Sequence, residues 1–347
     1  MPILSRRAAL GGAAAGALAG VAGRGHAAET ITVADPGGVY STAWAEAFYR
    51  PFEQESGITV RNITRDAEPT SQVKAIVETR SYIWDVVSVS IQSVKLLAER
   101  NLLEPLDWNS PDLQQLIPQA RQPFWAGTNV YGTVLAARTD HFGKRLPRSW
   151  ADFYDVKGFP GRRALPKQPI FTLETALLAD GVAPDKLYPL DVDRAFRKLD
   201  QVKDHIDVWW ASYPQTTQLL QSGEVDLLFT SNARAQAAVD TGAPVQLIWQ
   251  QGFYGLEGWA IPRGTPRADA ARRFIQYSAR AKQQALYTKT LSYGPTNPGA
   301  YDFIPAKRAE DLPTAPSHFS GLILVNDDWW GANKDRVFDR YTTWLLK

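Results

Sequence analysis

The chain has 347 residues, 44% hydrophobic and 21% charged, with 38 Lys and Arg against 36 Asp and Glu and no cysteine. That length accommodates two domains with a core each, and the cysteine count excludes disulfides, thiol catalysis and thiolate metal sites. A nearly balanced charge sets up no global field for nucleic acid or anionic lipid, so neither is an expected partner.

Residues 1–28 read as an export signal. Arg6 and Arg7 precede an apolar Ala/Gly run from Ala8 to Ala22, and small residues at Gly25, Ala27 and Ala28 offer a cleavage site. The run is too short for a membrane span. S-R-R-A-A-L resembles a twin-arginine signal with Ala8-Ala9 in place of the usual bulky residue, which leaves both Tat and Sec export open. Cleavage removes Arg6, Arg7 and Arg24 and no acid, taking the formal charge from +2 to about −1. His141, His205 and His318 are then the only histidines, far apart and without ligand spacing, so no metal is expected.

The remainder alternates strands and helices. Residues 30–34 read as a strand and Asp35-Pro36-Gly37-Gly38 as a turn. Ser41 is placed to cap a helix with Trp44, Ala47, Phe48 and Phe52 on one face and Gly57 at its end. Further strands are expected at 58–63 and 84–90, the latter leading into a helix through Val94 and Leu97. Segments 131–136 and 257–262 are extended, with few turn residues, and read as crossings between two lobes. The same grammar returns from Trp209 to Asn232. Ser212 and Gln215 have the S-x-x-Q spacing of a capping box, Leu219 and Leu220 face a core, Gly223 ends the helix, and residues 225–229 form a buried strand. Another strand is expected at 245–249, and residues 328–346 form a Trp-rich helix. Such alternation predicts an α/β protein with parallel, doubly wound sheets.

Ligands of such sheets bind beyond the carboxyl ends of the strands, at helix N-termini. The rule selects residues 35–40 with Asp35, Gly38 and Tyr40; Ser90 and Gln92; Trp209, Trp210, Ser212 and Gln215; and Phe229, Asn232 and Arg234. Adjacent residues at a strand end point opposite ways, so one of Trp209 and Trp210 faces the ligand and the other the core. No G-x-S-x-G elbow, H-E-x-x-H helix or phosphate loop occurs after residue 28. The positive signal is aromatic, with 12 Trp, 13 Tyr and 14 Phe, which suits stacking and cation binding. A binding protein without catalysis or cofactor is therefore expected, with a hydrolase or lyase as the reading from another class.

Several stretches together resemble one family. They are GGVYSTAWAEAFYRPFEQESGI, WDVVSVS with LLEPLD, SWADFYDVKGFPGRRAL, WWAS with QTTQLLQSGEVDLLF, EGWAIPRGTPRADAARRFIQYSA and YGPTNPGAY. In this order and spacing the chain resembles the periplasmic solute-binding proteins of ABC importers, in the spermidine/putrescine branch. The resemblance implies a type II two-lobe fold, two sheets joined by two crossover strands. It also implies a monomer in the periplasm that closes on a ligand and delivers it to an inner-membrane ABC permease. The lobes are expected at 29–136 with 260–302, and at 137–259 with 303–347. It further implies that Glu257 meets an amine, that Tyr293 lines the pocket, and that Phe229 stands where polyamine binders have Trp. The chain departs from those binders at Pro36-Gly37-Gly38, Gln92 and Lys167-Gln168. With Glu257 as the clear carboxylate, Asp35 as a second only if it turns inward, and Arg234 and Lys167 bringing positive charge, the ligand is read as a small amine-bearing solute. A polyamine stands beside an amino acid, a betaine-like zwitterion or a small carboxylate.

Overall fold

The computed structural model describes residues 29–65 and 69–347; the expected export signal lies outside them. Strand β1 (Thr30–Asp35) carries Ile31, Val33 and Ala34 in full burial, pairs in parallel with β2 (Thr59–Thr64), and is flanked on its other side by β3 (Val86–Ser90). Three of the strands expected from the sequence are therefore present, with their ends shifted by a residue or two. The first helix begins earlier than its capping pattern suggests. Helix α1 (Val39–Trp44) starts from Gly38, and Ser41 lies inside it. It runs through a π-helical turn, Ala45–Tyr49, into α2 (Arg50–Ser56), which Gly57 closes at φ 73. Helix α3 (Ile91–Glu99) follows β3 directly.

Two long strands carry the chain between lobes. Strand β4 (Trp125–Arg138) and strand β8 (Val245–Ala260) are antiparallel and paired along almost their full length. On the far side lie β5 (Arg163–Pro166), β6 (Ile206–Trp210) and β7 (Leu227–Ser231), in parallel with each other. The spatial order is β2-β1-β3-β8-β4-β7-β5-β6, one continuous sheet bent through its two central strands. Each lobe is thus a parallel sheet edged by antiparallel crossing strands. The second crossing is longer than the sequence suggests, because the expected strand at 245–249 and the expected crossing at 257–262 are parts of the one strand β8.

Two hydrophobic clusters give the lobes separate cores. The first gathers Ile31, Trp44, Phe48, Val87, Trp125, Val130, Tyr254, Leu256, Trp259 and Phe274; the second gathers Val134, Trp150, Phe171, Trp210, Leu220, Phe229, Phe253, Trp330 and Tyr341. The change-over falls between Val130 and Val134 on β4 and between Phe253 and Tyr254 on β8, a few residues ahead of the expected lobe limits at 136/137 and 259/260. Helices of the second lobe used below are α4 (Thr172–Ala179), α5 (Tyr213–Ser222), α6 (Asn232–Asp240) and α7 (Asp327–Leu345). Helix α7, expected as a Trp-rich helix, buries Trp330, Val337 and Tyr341 on the second lobe.

A buried acid fastens α7. Glu174 of α4 has no solvent exposure and accepts hydrogen bonds from Tyr188 Oη at 2.6 Å and Trp330 Nε1 at 2.7 Å. Burial pushes its carboxyl up to about 7, against the lowering effect of both donors. The folded protein therefore binds a proton that the unfolded chain releases near pH 4.5, and this group's contribution to stability falls as pH rises through that interval. Glu174→Gln removes the titration. The variant gains on the wild type between pH 5 and pH 8, by up to roughly 3 kcal/mol, read as the difference between urea-unfolding free energies at the two pH values. A constant difference would show that Glu174 does not titrate there.

Candidate functional site: the face of the crossing strands

Where β4 and β8 cross between lobes, Asn129 stands opposite Glu257, Tyr131 opposite Gly255, and Thr133 opposite Phe253. Alternate residues of paired strands share a face, so Asn129, Tyr131, Thr133 and Glu257 lie on one side of the ribbon. Val130 and Leu256 point the other way and are fully buried in the first core. Tyr131 lies across Gly255: a Cβ there would sit 2.3 Å from Tyr131 Oη. Gly255 is needed for that close approach and not for an unusual backbone angle.

Glu257 is the charged centre of this floor. It forms an ion pair with Arg65, the residue after β2, and accepts a second bond from Ser88 Oγ at 2.7 Å. The two side chains are only 5% and 12% exposed. Around them stand tyrosines from both lobes. Tyr40 and Tyr293 are stacked with centroids 5.3 Å apart and their hydroxyls hydrogen-bonded; Tyr40 also meets Trp44 edge-on at 5.2 Å. Burial raises the hydroxyl pKa of Tyr40, Tyr131 and Tyr293, and the negative charge of Glu257 adds to the rise at each. From the second lobe, Tyr213 opens α5, packs on Trp210 at 5.1 Å and hydrogen-bonds to Thr133 and Gln168; burial lifts its pKa to about 12. Arg234 of α6 is exposed, makes no ion pair among the described residues, and lies close enough to Tyr293 to favour its ionised form.

The residues expected from the sequence divide into three groups. Tyr40, Tyr293 and Glu257 come together at this face, with Arg234 beside them, and Ser90 lies opposite Glu257 on β3. Others are structural. Asp35 does not turn inward: it is fully buried and its carboxylate accepts from Gly37 N, Ser41 Oγ, Tyr49 Oη and Asn62 Nδ2 at 2.5–2.8 Å. Ser41 therefore serves Asp35 instead of capping the helix. Gly38 supplies the φ of 58 at the N-cap of α1. Trp209 meets Trp344 of α7 edge-on at 5.7 Å, and Trp210 is 2% exposed and stacks over Phe229, itself in the second core. Neither tryptophan is on the floor; Tyr213 takes the place expected of one. Ser212 is the N-cap of α5 without a side-chain bond, while Gln215 Oε1 accepts from Ala211 N, one residue before the cap. Asn232 accepts from Gly132 N at 2.9 Å and donates to Ser292 O, so it ties α6 to the crossing strand.

A third group bridges the lobes at the rim. Gln92 of α3 is exposed and hydrogen-bonds the Asp327 carboxyl of α7, whose pKa burial raises to about 6; one turn along, Lys95 Nζ donates to Asp328 at 2.6 Å. Lys167 is exposed. The sequence reading missed Arg65, Asn129, Tyr131 and Tyr213, and named Gln168 only as a departure from related binders. Arg65 and Tyr213 lie where the strand-end rule points, at the exits of β2 and β6. Asn129 and Tyr131 lie within the crossing strand, where no local pattern separates a floor residue from a core one.

Breaking the central pair has a defined cost. Glu257→Gln takes a buried counter-charge away from the Arg65 guanidinium, and the unfolding free energy falls by roughly 3 kcal/mol. Replacing both, Arg65→Met with Glu257→Gln, recovers much of that loss. Equal losses for the single and double variants in urea titrations would show that the pair is not coupled.

Comparison with known proteins gives a consistent frame. The model of the bacterial extracellular solute-binding protein family matches residues 47–316. The gamma-aminobutyric acid-binding protein of Pseudomonas aeruginosa is 34% identical over 325 residues, covering 92% of each chain. The spermidine/putrescine-binding periplasmic protein of Escherichia coli is 22% identical over 330 residues, 91% of each. A crystal structure of an ABC transporter substrate-binding protein from Bradyrhizobium japonicum superposes with a TM-score of 0.83 at 38% identity, covering 91% of this chain and 99% of that one.

Proposed function

The chain belongs to the bacterial extracellular solute-binding protein family, and on that footing we propose that it is a periplasmic receptor without catalytic activity that captures a small zwitterion. Such a ligand carries one amine and one carboxylate, with γ-aminobutyric acid as the leading candidate, and passes to an ABC permease. The supporting observation is the charge inventory of the floor among the described residues. Glu257, the carboxylate suited to an amine, is already neutralised by Arg65. Asp35 is consumed inside the first lobe. A polycation would need surplus acid to offset the loss of its hydration. A zwitterion needs none: its amine lies against Glu257 and the tyrosine faces, and its carboxylate is met by Arg234 from the other lobe. The Pseudomonas relative, named for binding gamma-aminobutyric acid, is 34% identical, against 22% for the polyamine binder.

In this reading the ligand touches both lobes and favours the closed form by its differential affinity for it. Micromolar binding requires about −8 kcal/mol. Charge-assisted hydrogen bonds of roughly 1.5–3 kcal/mol each and cation–aromatic contacts of about 0.5–2 kcal/mol each cover that range for so small a molecule.

A thermal-shift panel of γ-aminobutyric acid, α-amino acids, putrescine, spermidine and small carboxylates tests the proposal, because a ligand of the folded state raises the melting temperature by mass action. An ω- or α-amino acid is expected to raise it and to be recovered unchanged. A shift by putrescine and spermidine alone would restore the polyamine reading, and turnover would overturn the receptor reading. Arg234→Ala is expected to weaken the amino acid at least tenfold, with the melting temperature of the free protein unchanged.

A further inference from the structure

Among the described side chains, Asn129 is alone in leaving both amide atoms, Oδ1 and Nδ2, buried without a hydrogen-bond partner. It has no solvent exposure. Other buried polar side chains of the first lobe are well met, Asp35 by four donors and Gln284 by Thr296 and Asn297. Leaving an amide unmet forfeits its hydration with no return, and each such group in a folded protein calls for an explanation. The register supplies one. Asn129 is the direct cross-strand neighbour of Glu257, which places their Cβ atoms about 4.5–5.5 Å apart on the same face. The indole Nε1 atoms of Trp44 and Trp259 are likewise buried and unmet. Trp259 follows Glu257 by two residues, its ring lies 4.6 Å from that of Trp44, and Tyr40 covers Trp44. Unmet polarity therefore clusters where the floor meets the tyrosine pair.

We propose that Asn129 sets the ligand's amine class: with Glu257 it forms a subsite for a primary ammonium group, which it accepts through Oδ1. The inference rests on the amino-acid reading above and sharpens it. A primary ammonium has three N–H donors in different directions. The Glu257 carboxylate takes one, and the neighbouring amide oxygen takes a second. A trimethylammonium group has none to give, and it leaves the Asn129 amide buried and still unmet. The site therefore selects primary amines against betaines of the same length and charge.

The test is isothermal titration of γ-aminobutyric acid and of its N,N,N-trimethyl analogue against the wild type, Asn129→Leu and Asn129→Ala, with the melting temperature of each free protein. The wild type is expected to prefer the primary amine at least tenfold. Asn129→Leu, an apolar side chain of similar shape, is expected to lose at least tenfold in affinity for it and to lose the preference, while the free protein is as stable as before or more so. Asn129→Ala gives the same loss of preference if the leucine does not fit. Unchanged affinity in a stabilised Asn129→Leu would overturn the proposal, since the amide would then be an unmet group of no consequence for the ligand. A wild type that binds both ligands equally would also overturn it. Binding of neither by the wild type would sink the amino-acid reading itself.

Discussion

The antiparallel pairing of β4 with β8 is the constraint on which the rest depends. It joins the two cores, and it also lays out the floor between them. Side chains alternate with a period of two, so a slip of one residue would put Asn129, Tyr131 and Glu257 into the first core and bring Val130 and Leu256 to the surface. The register is pinned by packing. Gly258 lies opposite Gly127, and a Cβ on it would meet Ala126 O at 2.2 Å and Gly127 Cα at 2.6 Å; a Cβ on Gly127 would meet Ala120 Cβ at 2.7 Å, and Gly255 admits the ring of Tyr131. Irregularities at Gly127/Asn129 and Thr133/Leu135 flank the crossing, and Gln251 takes a positive φ of 60 just before it. Bulges of this kind add twist, which lets one continuous sheet serve two lobes.

That scaffold explains why the floor is electrically balanced. Glu257 leaves the ribbon beside β3 and the exit of β2, which brings Ser88 and Arg65 within its reach. The same exit loop holds the Asp35 knot: Arg65 N donates to Asp35 O at 2.8 Å, and the Asp35 carboxylate gathers donors from α1, the π turn and β2. The π turn contributes Tyr49 to that knot, its hydroxyl donating to Asp35 Oδ2 at 2.6 Å. A carboxylate consumed in this way fixes the turn that leads into α1 and Tyr40, and has no lone pair left for a ligand. Two acids near one strand end thus have opposite uses, and the difference lies in which donors the fold brings to them.

The outline was legible in the sequence because strand and helix periodicities are local. Ile31, Val33 and Ala34 bury as their alternation demands, Gly57 and Gly223 end helices where they stand, and Trp330, Val337 and Tyr341 bury one stripe of α7. Tyr40 was legible through its position at a strand end, and Tyr293 and Glu257 only through the family resemblance. The Asp35 knot and the Arg65 pairing were not, because each depends on contacts between residues far apart in the chain, such as 65 with 257. The tryptophan pair misled for a related reason. Strand β6 is the outermost strand of its lobe, so its end lies far from the crossing, and its aromatics are claimed by Trp344 and Phe229. The first residue of the next helix, Tyr213, reaches the floor instead.

The rim contacts indicate how the lobes balance. Gln92 with Asp327 and Lys95 with Asp328 link the first two turns of α3 to the first turn of α7. The Lys95 pair is largely exposed, at 61% and 69% for the two side chains, so salt screens it and it holds little on its own. Deep contacts, by contrast, keep each lobe rigid within itself: Asp35 in one, Glu174 in the other. A receptor that must both capture and release needs that asymmetry. Strong rim contacts would hold the lobes together regardless of occupancy and remove the ligand's influence over closure. With weak ones the free energy of closing is left to what lies on the floor, and under the proposed function a solute meeting Glu257 from one lobe and Arg234 from the other would contribute it directly.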